Sequence, residues 1–113
     1  MEEKLLIFQK TYEYAVWLYF LLNRLPRNHR PILGQQIHSL ALAILVGVVE
    51  ANTERDGPQR KLLQMKISRN LDTLRRLIRL TKDVKLMSIK QYAFAADKMN
   101  EIGRMLSAWI KVS

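Results

Sequence analysis

Apolar residues recur along this chain at helical spacing, and no strand pattern competes with them. Leu63, Ile67, Leu71, Leu74 and Ile78 fall in one narrow stripe when laid out at ~100° per residue. Further on, Tyr92, Ala96, Met99, Gly103, Leu106 and Ile110 follow one another at spacings of four and three, the seam of a helix packed at a shallow crossing angle. Two earlier apolar runs, Tyr14 to Leu22 and Ser39 to Val49, read as buried helices, each short of the ~20 residues a membrane span needs. Three polar breaks separate these patterns. Pro26 and Pro31 bracket the first, and Pro31 suits the opening turn of a new helix. Asp56-Gly57-Pro58 supplies turn chemistry in the second. The third, near Asp83 to Met87, ends at Ser88, which with Gln91 three residues on makes a capping box. The pattern predicts helices over about 3–24, 30–52, 59–82 and 89–111, each roughly 33 Å long. Similar lengths and short connections argue for an all-α, up-down-up-down four-helix bundle, one domain over residues 1–113.

The apolar pattern is too generous in places. From Tyr14 to Leu22 no residue is charged, which leaves that helix little to show to solvent. Leu62, Met65 and Leu80 likewise lie off the seam of the third helix. Surplus apolar surface of this kind usually marks a protein contact. The expectation is a homo-oligomer whose interface draws on Tyr14, Trp17, Leu18, Phe20, Leu62 and Met65.

Charge sharpens the reading more than composition does. A 49% hydrophobic content with only 4 Gly and 3 Pro describes a packed chain rather than a disordered one. The absence of cysteine excludes disulfides, thiolate metal sites and cysteine nucleophiles. Lys4 is followed by too short an apolar stretch for a signal peptide, and the cytoplasm is the expected compartment. Nine Lys/Arg between Arg60 and Lys85 face only Asp72 and Asp83, so this segment carries +7 of the chain's formal +9. On a helix, Lys61, Arg69, Arg75, Arg76 and Arg79 fan away from the apolar stripe. Lys66, Arg69, Arg75, Arg76, Arg79 and Lys82 are the candidate nucleic-acid contacts, joined by Arg24, Arg27, His29 and Arg30 from the first loop. Arginine favours bidentate phosphate contact, and the third helix has no aromatic residue for base stacking. The expected mode is salt-dependent backbone contact with little sequence readout. The apolar stripe of this helix is occupied within the bundle, so no membrane partner is expected.

Catalytic constellations are missing. His29 sits in a basic loop, and His38 has no Glu-x-x-His partner for a bundle di-metal site. Asp97 and Glu101 share a face, but Lys98 and Arg104 nearby favour surface pairing. The four glycines are isolated, so no phosphate loop exists. Neither an enzyme nor a cofactor is expected.

The run Leu25-Pro26-Arg27-Asn28-His29-Arg30, followed by Leu33-Gly34-Gln35-Gln36-Ile37, resembles the second-helix entry of a four-helix-bundle family. Its members include the accessory variability determinant (Avd) proteins of diversity-generating retroelements and the proteins encoded in intervening sequences of bacterial 23S ribosomal RNA genes. Leu74-Arg75-Arg76-Leu77-Ile78-Arg79-Leu80, and the ending Gly103-Arg104-Met105-Leu106-Ser107-Ala108-Trp109, resemble the Avd branch. Val48-Val49-Glu50-Ala51-Asn52 departs from the small-residue run and Ala-Glu-Gly-like turn of the intervening-sequence branch. The Avd resemblance implies a ring-like homopentamer with a basic surface. It also implies association with a reverse transcriptase and its template RNA, in support of mutagenic cDNA synthesis. The alternative is an intervening-sequence-type bundle with a structural role and no reverse transcriptase partner.

Overall fold

The computed structural model describes residues 2–113, with side chains from Leu6 onward. Its α-helices are α1 (Glu2–Leu22), α2 (Gln35–Thr53), α3 (Gly57–Asp83) and α4 (Ile89–Val112), and no strand occurs among the described residues. A π-helical turn, Arg30–Gly34, runs directly into α2. The helices pack in chain order, α1 on α2, α2 on α3, α3 on α4, and α4 back on α1. Cross-contacts fix their senses. Lys10 lies 3.9 Å from Glu101, and the Tyr14 hydroxyl donates to the Ala95 carbonyl at 3.3 Å. Trp17 and Phe94 rings stand 4.7 Å apart, so α1 and α4 are antiparallel. Gln64 meets Ser113 at one end of α3 and Lys82 meets the Tyr92 ring at the other, so α3 and α4 are antiparallel too. The up-down-up-down bundle expected from the pattern is the architecture found.

Each helix buries a stripe at alternating spacings of three and four, as shallow-angle packing requires. The stripes are Ile7, Thr11, Tyr14, Leu18 and Leu21 on α1, and Ile37, Ala41, Ile44, Val48 and Ala51 on α2. On α3 they are Gln64, Ile67, Leu71, Leu74, Ile78 and Thr81, and on α4 Ala95, Met99, Ile102, Leu106 and Trp109. Buried hydroxyls turn back on their own helices: Thr11 Oγ1 donates to the Ile7 carbonyl at 2.7 Å, and Thr81 Oγ1 to that of Leu77 at 2.8 Å.

The α3 stripe agrees with the sequence reading from Ile67 to Ile78, with Gln64 buried and Leu63 half-buried beside it, while the α4 stripe is rotated from that reading. Met99 and Leu106 are common to both, but Ala95, Ile102 and Trp109 are the buried members, while Tyr92, Ala96, Gly103 and Ile110 are only half-buried at the edge of the core. Two apolar stripes run along α4, and the one holding Trp109 and Ile102 removes more apolar surface from water. Tyr14 and Leu18 are buried within the protomer, so they leave the expected oligomer surface. Trp17 is half-buried against the Tyr14 and Phe94 rings. Phe20, Leu62 and Met65 remain exposed.

Helix boundaries follow local chemistry. Asp56 caps α3 by accepting from the Gln59 N–H at 3.0 Å, with Pro58 in the first turn, so α3 starts at Gly57 rather than 59. The Ser88 capping box forms in both directions, Gln91 N–H to Ser88 Oγ at 3.0 Å and Ser88 N–H to Gln91 Oε1 at 2.9 Å. Before it, α3 ends in a Schellman motif. Lys85 adopts φ 66°, its N–H donates to the Lys82 carbonyl, and the Leu86 N–H donates to that of Thr81. The helical stretch 30–53 is long and apolar enough to cross a membrane, contrary to the estimate from uninterrupted runs, because Gln35, Gln36 and His38 only dilute its apolar character. Only one side of it is buried, which leaves Leu42, Val46 and Val49 on the surface.

Candidate nucleic-acid interface

Antiparallel packing brings the α1–α2 loop and the α3–α4 loop to the same end of the bundle. Residues 23–34 and 76–91 converge there, holding eight Lys/Arg against one carboxylate, Asp83. Arg24 and Gln91 line one surface depression together, which ties the first loop to the start of α4. Arg24, Arg27, Arg76, Arg79, Lys85 and Lys90 are exposed. The two basic clusters read separately from the sequence therefore lie at the same end of the bundle.

Its members are held to different degrees. Arg79 Nε lies 3.7 Å from Asp83 Oδ2, with most of its side chain in solvent. Lys82 is more constrained, 3.1 Å from Asp83 Oδ1 and with Nζ 4.7 Å from the Tyr92 ring centroid. Arg76 donates through Nη1 to the Asp72 carbonyl at 3.2 Å. Arg30 Nε donates to the Leu25 carbonyl at 2.8 Å, which fastens the loop to the end of α1. His29 is half-buried, and its carbonyl accepts from the Leu33 and Gly34 N–H groups, closing the π-helical turn. Arg24 and Arg27 carry the free cationic surface of this loop, whereas Arg30 and His29 shape it.

The rest of the α3 set divides. Lys66 lies on the α2 side, lining a small cleft with Val46, Glu50 and Asn70, and Arg69 is exposed beyond it. Arg75 is a correction to the sequence reading, because it does not fan outward with Arg76 and Arg79. Its Nη1 donates to Asp72 Oδ1 at 2.8 Å and its Nη2 to the Met99 carbonyl at 3.3 Å, so the guanidinium lies across α4. Gly103 makes this possible: a Cβ there would stand 2.6 Å from Arg75 Nη2. Lys85 and Lys90 also belong to the basic end; the sequence reading counted Lys85 in the basic segment but picked neither as a contact.

The expected surface pairing of Glu101 is present, 3.7 Å from Lys98 and 3.9 Å from Lys10. Among the described residues no group of three or more His, Asp or Glu is placed to hold a metal ion. Burial pushes the phenol of Tyr14, on the inner side of α1, well up, and the nearby Arg75 charge lowers it only in part.

Comparison with known proteins agrees with the resemblance drawn from the loop and C-terminal motifs. No curated protein matches the chain. Among solved structures it is similar to a protein of unknown function from the S23 ribosomal protein family of Bacteroides thetaiotaomicron, with a TM-score of 0.90 at 17% identity over 96% of this chain and 98% of that one. At that identity the likeness is one of fold. The family described as bAvd-like matches residues 5–113, a span that takes in all four helices. The chain belongs to the bAvd-like family.

Proposed function

We propose that this chain is a non-enzymatic, cytoplasmic accessory protein of a diversity-generating retroelement. It binds the element's reverse transcriptase and template RNA or cDNA through its basic end and supports mutagenic cDNA synthesis. The observation that carries the reading is the convergence of both basic clusters on one end of a bAvd-like bundle. A surface with eight cations and one carboxylate attracts a phosphate backbone or an acidic protein face over several ångströms. No membrane partner belongs to this reading, since α2 packs its buried stripe against the other helices.

Self-association is part of the proposal. A ring needs two different faces per protomer, one to give and one to receive. The chain exposes Val16 and Phe20 on the α1 side, and Leu42, Val46, Leu62 and Met65 on the α2–α3 side. A ring of five such protomers concentrates the basic ends and strengthens their field.

The test is charge reversal of Arg27, Arg76 and Arg79 together, which leaves Arg75 to its structural contacts. The triple variant is expected to lose co-purification with the reverse transcriptase and RNA while keeping helicity and oligomeric state. Normal binding of both partners would refute this surface. The second reading, an intervening-sequence-type bundle with a structural role, has the S23-family fold likeness in its favour. It predicts that no reverse transcriptase gene lies beside this one.

A further inference from the structure

A groove of about 590 Å³ runs between α3 and α4, lined by Ser68 and Arg75 on one side and by Asn100, Gly103, Arg104, Ser107 and Lys111 on the other. It lies on the α3–α4 face and includes none of the cations of the basic end. Arg75, Arg104 and Lys111 are its charged lining, and no carboxylate lines it. Ser68, Asn100 and Ser107 add neutral hydrogen-bonding groups. No aromatic ring lines the groove, so it offers nothing for bases to stack on.

Arg75 is fixed in place before any ligand arrives. Asp72 and the Met99 carbonyl hold two of its nitrogens, and Gly103 leaves the space its guanidinium fills. A guanidinium held this way loses little side-chain entropy on meeting an anion, and it retains donors beyond the two in use. Arg104 and Lys111 lie seven residues apart on α4, two turns or roughly 10 Å, so two phosphates of one strand can be met along the groove.

We propose that the α3–α4 groove seats consecutive phosphates of a single nucleic-acid strand, with Arg75 as the fixed anchor and Arg104 and Lys111 as the flanking contacts. This rests on the nucleic-acid-binding reading above and adds the track that the strand follows. The contact is to backbone, so it carries no base preference.

The experiment measures affinity for a short single-stranded RNA by fluorescence anisotropy across a salt series, for the wild type, Arg104→Gln/Lys111→Gln and Gly103→Ala. Both changed α4 cations are exposed, so the double variant keeps the fold, checked by its melting curve. Loss of two phosphate contacts is expected to reduce the slope of log affinity against log salt by about 1.4. Gly103→Ala displaces Arg75 and is expected to weaken binding while both α4 cations remain. Unchanged affinity and slope in both variants, with the wild type binding RNA, would overturn the groove and leave the broader function standing. A wild type that binds no RNA at low salt would overturn both. Inorganic phosphate that shifts the Ser107 and Lys111 amide resonances, with RNA affinity untouched by the variants, would make the groove a free-anion site and also overturn the proposal.

Discussion

The Tyr14 hydroxyl reaches the Ala95 carbonyl from inside the protomer, and burial raises its phenol above the ordinary value of 10.0. In the unfolded chain that phenol ionises near pH 10, while in the bundle it stays neutral. Stability from this group is therefore full below pH ~10 and is lost as pH rises through the folded value. Denaturation midpoints measured from pH 8 to 11 should fall steeply at the alkaline end, and Tyr14→Phe should flatten part of that fall. Gly47 makes a second residue-scale prediction. A Cβ there would lie 2.9 Å from Ile67 Cγ1, in the packed α2–α3 contact. Gly47→Ala is expected to lower stability by about 1–3 kcal/mol despite its better helix propensity, read from thermal or urea unfolding. Arg75 marks the limit of reading residues one at a time. Its sequence neighbours suggested an outward cation, but the hole at Gly103 and the Met99 carbonyl draw it across α4, and both lie more than twenty residues away.

Elements were more legible than the residues they bury. The Pro26 and Pro31 bracket, the Asp56-Gly57-Pro58 turn and the Ser88 box are local signals, and each marks a helix end close to where the pattern put it. Ser88→Ala should cost about 1 kcal/mol, seen as a lower melting temperature. The rotation of α4 was not legible because Tyr92, Ala96 and Ile110 make as regular a stripe as Ala95, Ile102 and Trp109. Only the partner helices decide between them. Lys85 was visible as a charge, but its backbone conformation was not. It holds the left-handed position of a Schellman motif, where glycine is usual, and pays for it in backbone strain of about 1 kcal/mol. Lys85→Gly is expected to stabilise the protein by about that amount and to weaken RNA binding, since it removes a cation from the basic end. A melting curve and an anisotropy titration of the same variant check both halves.

At the scale of the whole molecule, topology does what composition alone cannot show. The antiparallel order places the first loop and the α3–α4 loop at the same end of the bundle, which brings two basic clusters to one end. The apolar surplus of α1 was visible in the sequence. Which of its members are exposed, Phe20 as expected and Val16 besides but not Tyr14 or Leu18, depends on which side of an all-apolar helix faces inward. Phe20→Glu or Leu62→Glu should convert the proposed assembly to monomers in sedimentation velocity while leaving the helical spectrum unchanged. The central claim, that the basic end makes this bAvd-like bundle an accessory to reverse transcription, is tested most directly by co-purification. The chain and the reverse transcriptase of the proposed retroelement are mixed with template RNA at about 50 and about 200 mM salt. A complex that forms at the lower salt, weakens steeply at the higher and is lost when Arg27, Arg76 and Arg79 are reversed is the expected result. Absence of any complex at the lower salt would contradict the account.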